Sequence, residues 1–597
     1  MKALKESHVF LKNGNPVLKI GNKELPAIAY MTYFDERNDY KAFAAKGFRI
    51  YSVSVSLSYQ PINTSSGFMP YTGGVFDKKG EADFSHVDAA MKRVLDACPD
   101  ACIFPRIYVS MPKWWVLEHP DECVDVPNGQ RRESLYSDVF RKEASQMLET
   151  LIRHFLECDY ADHIFGYQLS GGNTQEWFHL DLKGSYGASA LKYFNRFLKK
   201  RNPVAQEVKE LPPLDEINES EIIFNPCLRE FLRFASEEVV NTIEAFCRCV
   251  KDLVNRKQIT GVFYGYSQEV MNPLWGTHAL KTLLESDNID FLSSPNSYFD
   301  QRALGADWAD MMPVDSVKLH GKMCFIECDV RTFLTRTPGE SRPGSDPLNV
   351  YTQKVWQGPP TEELSVYAVR KSLARQLTHK HGLWWFDMFG HWYAAERLMH
   401  EMEKSLYMYN RAVTGNGYET DAEVCVFIDE ETHSNIGRKH PAYDSPFMMR
   451  KPLGAMGAPY DVYLISDFEN IKWNEKAYKA AIFAVPYDEG NTDKCIGKLR
   501  EKEIRAIRVS REKPLYNEDE LMDFLGKSGV FLYSGTKDVF YFGNGFIALH
   551  AKRAGEKIIR LPETLSVTDE ESGETKVTNE IKGDFKTFET RIYRLEK

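Results

Sequence analysis

No stretch of this 597-residue sequence approaches the roughly 20 consecutive apolar residues that a membrane-spanning helix needs. The longest apolar runs, such as the one ending Leu383-Trp384-Trp385-Phe386, stop far short, so no membrane partner is expected. A dense Lys/Arg stripe is also missing. Acidic residues number 85 against 75 basic ones, for a net charge of -10, which argues against nucleic acid as the main partner. The opening residues, Met1-Lys2-Ala3-Leu4-Lys5-Glu6-Ser7-His8, lack an apolar core of the secretory type, so no signal peptide is expected. Cysteine is sparse and odd in number: eleven are scattered from Cys98 to Cys495. The close pairs Cys98/Cys102, Cys247/Cys249 and Cys324/Cys328 are not repeated in any zinc-type arrangement. Reduced thiols in a cytoplasmic protein are therefore expected. Internal repeats and low-complexity segments are absent, which excludes solenoids and disordered arrays.

What is present is a globular composition, 43% hydrophobic and 27% charged, with an unusually large aromatic share of 13%. Aromatic rings fill cores. They also suit a pocket whose ligand has both C–H faces and hydroxyls, as a sugar does.

Up to about residue 412, short apolar runs alternate with amphipathic helical stretches, the pattern of βα units around a parallel sheet. The expected strands are Ala27–Met31, Ile50–Ser54, Ile103–Val109, Ile164–Leu169, Gly261–Tyr266, Phe291–Ser294, Met323–Glu327 and Leu383–Asp387. Eight such strands close a (β/α)8 barrel, assigned to residues 1–415. Helices are expected over Val139–Glu157, with Asp138 as cap, over Glu237–Val254 and over Ala188–Lys200. A Gly/Pro/Ser/Thr-rich insert, Arg331–Glu363, follows the seventh strand and is expected as a rim over the C-terminal face. Residues 416–525 read as a small flavodoxin-like α/β domain with strands Val424–Ile428, Val462–Ile465 and Ala480–Val485. Residues 526–597 alternate in period two, in Val530–Tyr533, Val539–Phe542, Gly545–His550 and Thr587–Leu595, and read as an antiparallel β-sandwich domain.

In a barrel of this kind the chemistry sits at the C-terminal ends of the strands. Strand four leads into Ser170-Gly171-Gly172-Asn173-Thr174-Gln175-Glu176-Trp177, and strand seven ends Phe325-Ile326-Glu327-Cys328-Asp329-Val330-Arg331. Glu176 and Glu327 are thus three βα units apart. Two carboxyls about 5–5.5 Å apart can cleave a glycosidic bond with retention, one as acid and one as nucleophile. Their proximity pushes the two pKa values apart, leaving one protonated and one charged. Read singly, Glu327 is equally suited to a salt bridge with Arg331 or Arg106, and Glu176 to a solvated loop. Glu269, closing strand five beside Gln268, is the rival carboxylate.

Several segments carry a family resemblance. Pro105-Arg106-Ile107-Tyr108-Val109-Ser110-Met111-Pro112-Lys113-Trp114-Trp115, then His119-Pro120-Asp121-Glu122, resembles the third-strand region of glycoside hydrolase family 42, the β-galactosidases of clan A. Asn128–Arg132, Tyr136–Ala144, Asp290–Tyr298 and Leu453–Tyr463 are similar to later parts of the same family, in order along the chain. The resemblance implies Glu176 as acid/base and Glu327 as nucleophile. It implies Tyr298 as the tyrosine that bonds the nucleophile, and a trimer or dimer assembled through the α/β domain. Gln175 stands where the clan usually has Asn, with Asn173 two places earlier. The family's cysteine cluster is missing, so no metal and no cofactor are expected. Arg106, Trp114, Asn173, Gln175, Trp177, Tyr298, Trp384, Trp385 and Asp387 are the expected substrate-binding residues, with His391 and Trp392 on the same rim. Alternate strand residues face opposite ways, so at least one of Trp384 and Trp385 belongs to the core. The expectation is a retaining exo-β-glycosidase acting on a β-linked glycoside or oligosaccharide, a β-galactosidase first. A β-mannosidase and a non-catalytic carbohydrate-binding barrel are the alternatives.

Overall fold

The computed structural model describes residues 4–181, 186–415 and 417–597. Eight parallel strands close a barrel in chain order: Ile28–Thr32, Ile50–Ser56, Cys102–Tyr108, Gly166–Ser170, Ile259–Phe263, Phe291–Ser293, Met323–Cys328 and Gly382–Phe386. Each lies on an apolar run read from the sequence, its ends shifted by a few residues. The runs are continuous because barrel strands are buried on both faces.

Alternation along each strand sends every second side chain to the barrel axis. Phe104, Phe263, Phe291, Phe325 and Trp384 meet there as an aromatic layer; the Phe325 and Trp384 centroids are 5.0 Å apart and those of Phe104 and Phe325 5.5 Å. Two residues further along the same faces come Arg106 and Glu327. Trp385 points outward, its indole N–H donating to Ser405 on the helix Glu396–Thr414 at 3.1 Å.

The helix Asp138–Glu157 begins from Ser137, whose hydroxyl accepts the Phe140 amide at 3.1 Å, and not from the expected Asp138 cap. The expected helix at Glu237 is the later part of Pro226–Leu253, which starts much earlier, at an Asn225 cap followed by proline in its first turn. Three antiparallel strands that the apolar pattern did not mark, Ser7–Lys12, Asn15–Ile20 and Lys23–Pro26, lie at the N-terminal mouth of the barrel. There the Ser7 amide donates to the Lys257 carbonyl at 2.8 Å, just ahead of strand five.

The α/β domain has four parallel strands, ordered Tyr460–Leu464, Val424–Ile428, Ala480–Phe483 and Arg505–Arg508, a flavodoxin-like order. The last was missed because its ends are exposed arginines. The edge strand Tyr460–Leu464 is blunted by the barrel helix Val314–Leu319: Asp315 accepts the Val462 amide at 2.6 Å and Ser316 the Leu464 amide at 2.8 Å.

The C-terminal β domain is antiparallel as expected, but its described residues form one five-stranded sheet in place of the two sheets of a sandwich. Its order is Val539–Gly543, Phe546–His550, Thr590–Glu596, Gly555–Asp569, Thr575–Phe585. The second layer is the barrel helix Glu362–Thr378, buried around most of its circumference and bonded to the sheet region by Thr590 to the Tyr367 carbonyl at 2.8 Å. Residues 530–533, expected as a strand, are irregular; Tyr533 instead bonds the Gly457 carbonyl at 2.9 Å.

Truncating the aromatic layer in Trp384→Ala is expected to destabilise the protein by about 3–5 kcal/mol. The check is a lowered urea midpoint, with Trp384→Phe in between.

Candidate active site

Past strand four the chain reverses at Gly172, where φ is +65° and an added Cβ would stand 2.3 Å from the Phe178 carbonyl oxygen. Only glycine fits there. Thr174, Gln175 and Trp177 follow with φ of 56°, 69° and 61°, three left-handed non-glycine residues flanking Glu176. The Asn173 amide to Phe178 (2.9 Å), Thr174 to Ile62 (2.6 Å) and Trp177 to Gly171 (2.8 Å) hold this shape. The strained turn aims Glu176 into a cavity at the C-terminal end of the barrel and keeps Gln175 and Trp177 out of it.

That cavity has a volume of about 350 Å³ and is lined by Arg106, Glu176 and Glu327 together with aromatic walls. The Glu176 carboxylate accepts hydrogen bonds from the Tyr266 hydroxyl at 2.9 Å and the Thr174 hydroxyl at 2.5 Å. Burial raises its pKa; the two hydroxyls and Arg106 oppose the rise, and Asp329 adds to it. Glu327 is 5% exposed and accepts from Arg106 Nη1 at 2.9 Å. Burial pushes its carboxyl up to about 8; Arg106 counters, while Asp329 and Glu176 add to the rise. Arg106 itself is 2% exposed, its guanidinium 4.3 Å from the Phe263 ring centre and 5.4 Å from that of Tyr33. Glu327 has this cation as a hydrogen-bonding partner, whereas Glu176 is bonded by neutral hydroxyls. Of the two carboxyls, Glu327 is the one whose charged form is met by a cation.

The other expected residues divide. Asn173 lines the cavity, its side-chain oxygen accepting from the Thr64 amide at 2.8 Å. Tyr298 lines it as well, but its hydroxyl donates to Asp329 at 3.2 Å and not to Glu327. Gln175 is fully buried against the Tyr71 hydroxyl (2.7 Å), and the Trp177 indole donates to the Leu169 carbonyl (3.1 Å); neither lines the cavity. Trp114 donates to the Phe76 carbonyl at 2.9 Å and also lies outside. Trp384 and Trp385 are both core, one in the barrel layer and one under a helix. Asp387 accepts from the Tyr30 hydroxyl and from the His391 and Trp392 amides, so it shapes the loop after strand eight. His391 is exposed and Trp392 buried. Glu269 is bonded by Arg450, by the Ser297 hydroxyl and by the Tyr298 amide, away from the cavity.

Missed from sequence were Tyr266, Asp329 and the aromatic walls Tyr33, Phe178, Trp275, Tyr351 and Trp356. Tyr351 and Trp356 come from the insert after strand seven, which was expected at this face. Asp329 follows the end of strand seven directly, and its position along the chain gave no sign of the arginines it would meet.

No family model matches the sequence, and no curated protein matches it. Solved structures do share the fold. A cold-adapted β-galactosidase from Rahnella sp. R3 aligns with TM-score 0.58 at 12% identity, covering 96% of this chain and 98% of that one. A catalytic mutant of a GH42 β-galactosidase from G. stearothermophilus gives 0.56 at 11% identity over 96% and 98%, and a polyextremophilic β-galactosidase from Halorubrum lacusprofundi 0.56 at 11% over 95% and 98%. The fold of this chain is thus shared with these enzymes along nearly its whole length.

Burial raises the Asp387 carboxyl to about 8, above an unfolded value near 4. The folded state then keeps a proton that the unfolded chain releases. That stabilisation is complete below about pH 4 and is lost as pH climbs toward 8. The melting temperature is expected to fall between about pH 5 and pH 8; a curve that rises over this range contradicts the assignment.

Proposed function

We propose that this chain is a retaining exo-β-glycosidase, with Glu176 as acid/base and Glu327 as nucleophile. The observation that carries the reading is a pair of carboxyls opening onto one cavity at the C-terminal end of the barrel, one bonded by a guanidinium and the other by neutral hydroxyls. Glu327 attacks the anomeric carbon while Glu176 delivers its proton to the leaving oxygen, giving a glycosyl ester and a free alcohol. Glu176, now charged, takes a proton from water as the water oxygen attacks the same carbon, and Glu327 leaves as carboxylate. No metal or cofactor enters either step.

The cavity wall supports a neutral sugar. Arg106 is the one cationic side chain lining it among the described residues, and Glu327 already engages it, so an anionic substituent on the sugar finds no free partner. Tyr33, Trp275 and Trp356 offer ring faces to C–H surfaces. Galactose is the first expectation for the sugar, on the family resemblance, and a homo-oligomer, trimer before dimer, is proposed on the same ground.

The test is turnover of a panel of 4-nitrophenyl β-glycosides. Wild type should cleave one of them efficiently. Glu176→Gln is expected to lose about 10²- to 10⁴-fold in kcat/KM and Glu327→Gln to be nearly silent. Full activity in either variant removes that residue from its role, and silence of the wild type on every glycoside favours a non-catalytic barrel. In Tyr266→Phe, Glu176 loses a hydrogen bond that lowers its pKa. The alkaline limb of the pH profile is then expected to move to higher pH.

A further inference from the structure

Three carboxylates, Glu176, Glu327 and Asp329, converge at this end of the barrel, and so do three guanidiniums, those of Arg106, Arg302 and Arg331. Asp329 is fully buried and lies outside the cavity wall. Donors from three separate places meet on it. The Tyr298 hydroxyl reaches Oδ2 at 3.2 Å, Arg331 Nη1 reaches Oδ2 at 2.7 Å, and Arg302 Nη1 bonds Oδ1. The same two arginines also bond the Asp329 carbonyl, at 3.1 Å from Arg302 and 2.9 Å from Arg331.

The clamp reaches the cavity by two routes. Tyr298 lines it, with the Arg302 guanidinium stacked 4.0 Å from its ring centre. Trp356 lines it too, with the Arg331 guanidinium 4.6 Å from its ring centre, and the Tyr298 and Trp356 centroids are 6.0 Å apart. One buried carboxylate therefore fixes both the end of strand seven just past Glu327 and two rings of the cavity wall.

We propose that Asp329 is a positioning residue for the reaction proposed above. It clamps Tyr298 and, through Arg331, Trp356 against the substrate site, and its negative charge biases the protonation of the Glu176/Glu327 pair. The proposal rests on the glycosidase reading. Asp329 faces no substrate and takes no part in bond making. Its charge raises the pKa of both glutamates, and the groups that oppose this are Arg106 on Glu327 and the hydroxyls of Thr174 and Tyr266, with Arg106, on Glu176.

The test is the pH profile of kcat/KM on the glycoside that wild type cleaves. Asp329→Asn removes the charge and leaves Arg302 and Arg331 uncompensated, so the whole bell is expected to move to lower pH, by roughly one unit. Arg331→Gln leaves Asp329 less neutralised and is expected to move it the opposite way. Asp329→Glu keeps the charge but misplaces the clamp: its profile should stay in place while kcat/KM falls. A merely structural role lowers the yield of folded enzyme without opposite displacements. Unmoved profiles in Asp329→Asn and Arg331→Gln, or displacement of both in one direction, overturn the proposal. If Asp329→Asn does not fold, Arg331→Gln alone decides it. If wild type cleaves no glycoside, it is the parent reading that fails. Carbon-13 NMR titration of labelled glutamate side chains then reads the same displacements without turnover.

Discussion

A guanidinium and a carboxylate taken out of water together, Arg106 and Glu327 at 2.9 Å, form the constraint around which this end of the barrel is organised. Neither ion is tolerable alone in a setting this dry, since an unpaired buried charge costs several kcal/mol. Each must therefore be met by the other, and the barrel geometry makes that possible: strands three and seven project both groups inward, above the layer formed by Phe104, Phe325 and Trp384. The rings of Phe263 and Tyr33 leave the guanidinium little freedom to turn elsewhere. Glu327 is thereby fixed in place, its charged form met by a cation although burial works against that charge.

Glu176 reaches the same cavity by a different principle. It stands on no strand; it is presented by a turn with left-handed residues on both sides. Such backbone is tolerated because neighbouring amides and carbonyls over-determine it, and strain of this kind gathers at sites where a side chain must be aimed. Its partners are hydroxyls, which leave the carboxyl free to gain and lose a proton. A rigid ion-paired acid opposite a protonatable one is the asymmetry that the proposed double displacement requires.

Much of the architecture was readable beforehand, because apolar runs of strand length interleaved with amphipathic helices leave few alternatives to a barrel. The failures have local causes. The hairpin Gly555–Phe585 interrupts its alternation with charges and a bulge, so it did not read as strands. Trp384, Trp385 and Asp387 sit at a strand end where ligands bind in such barrels, yet two fill the interior and the third holds a loop. Trp114 and Trp177 are near the site in sequence but bond backbone carbonyls away from it. Residue type and strand position could not separate a wall from a floor.

The sequence by itself determined the order of the eight barrel strands and that a glutamate follows the fourth and another ends the seventh, since periodicity and strand ends are properties of neighbouring residues. Only the tertiary structure decided which side chains face the cavity, that Tyr298 answers to Asp329, and that Tyr266 holds Glu176. Those partnerships join residues tens of positions apart. They depend on where burial forces a charge or a hydroxyl to find the nearest group able to satisfy it.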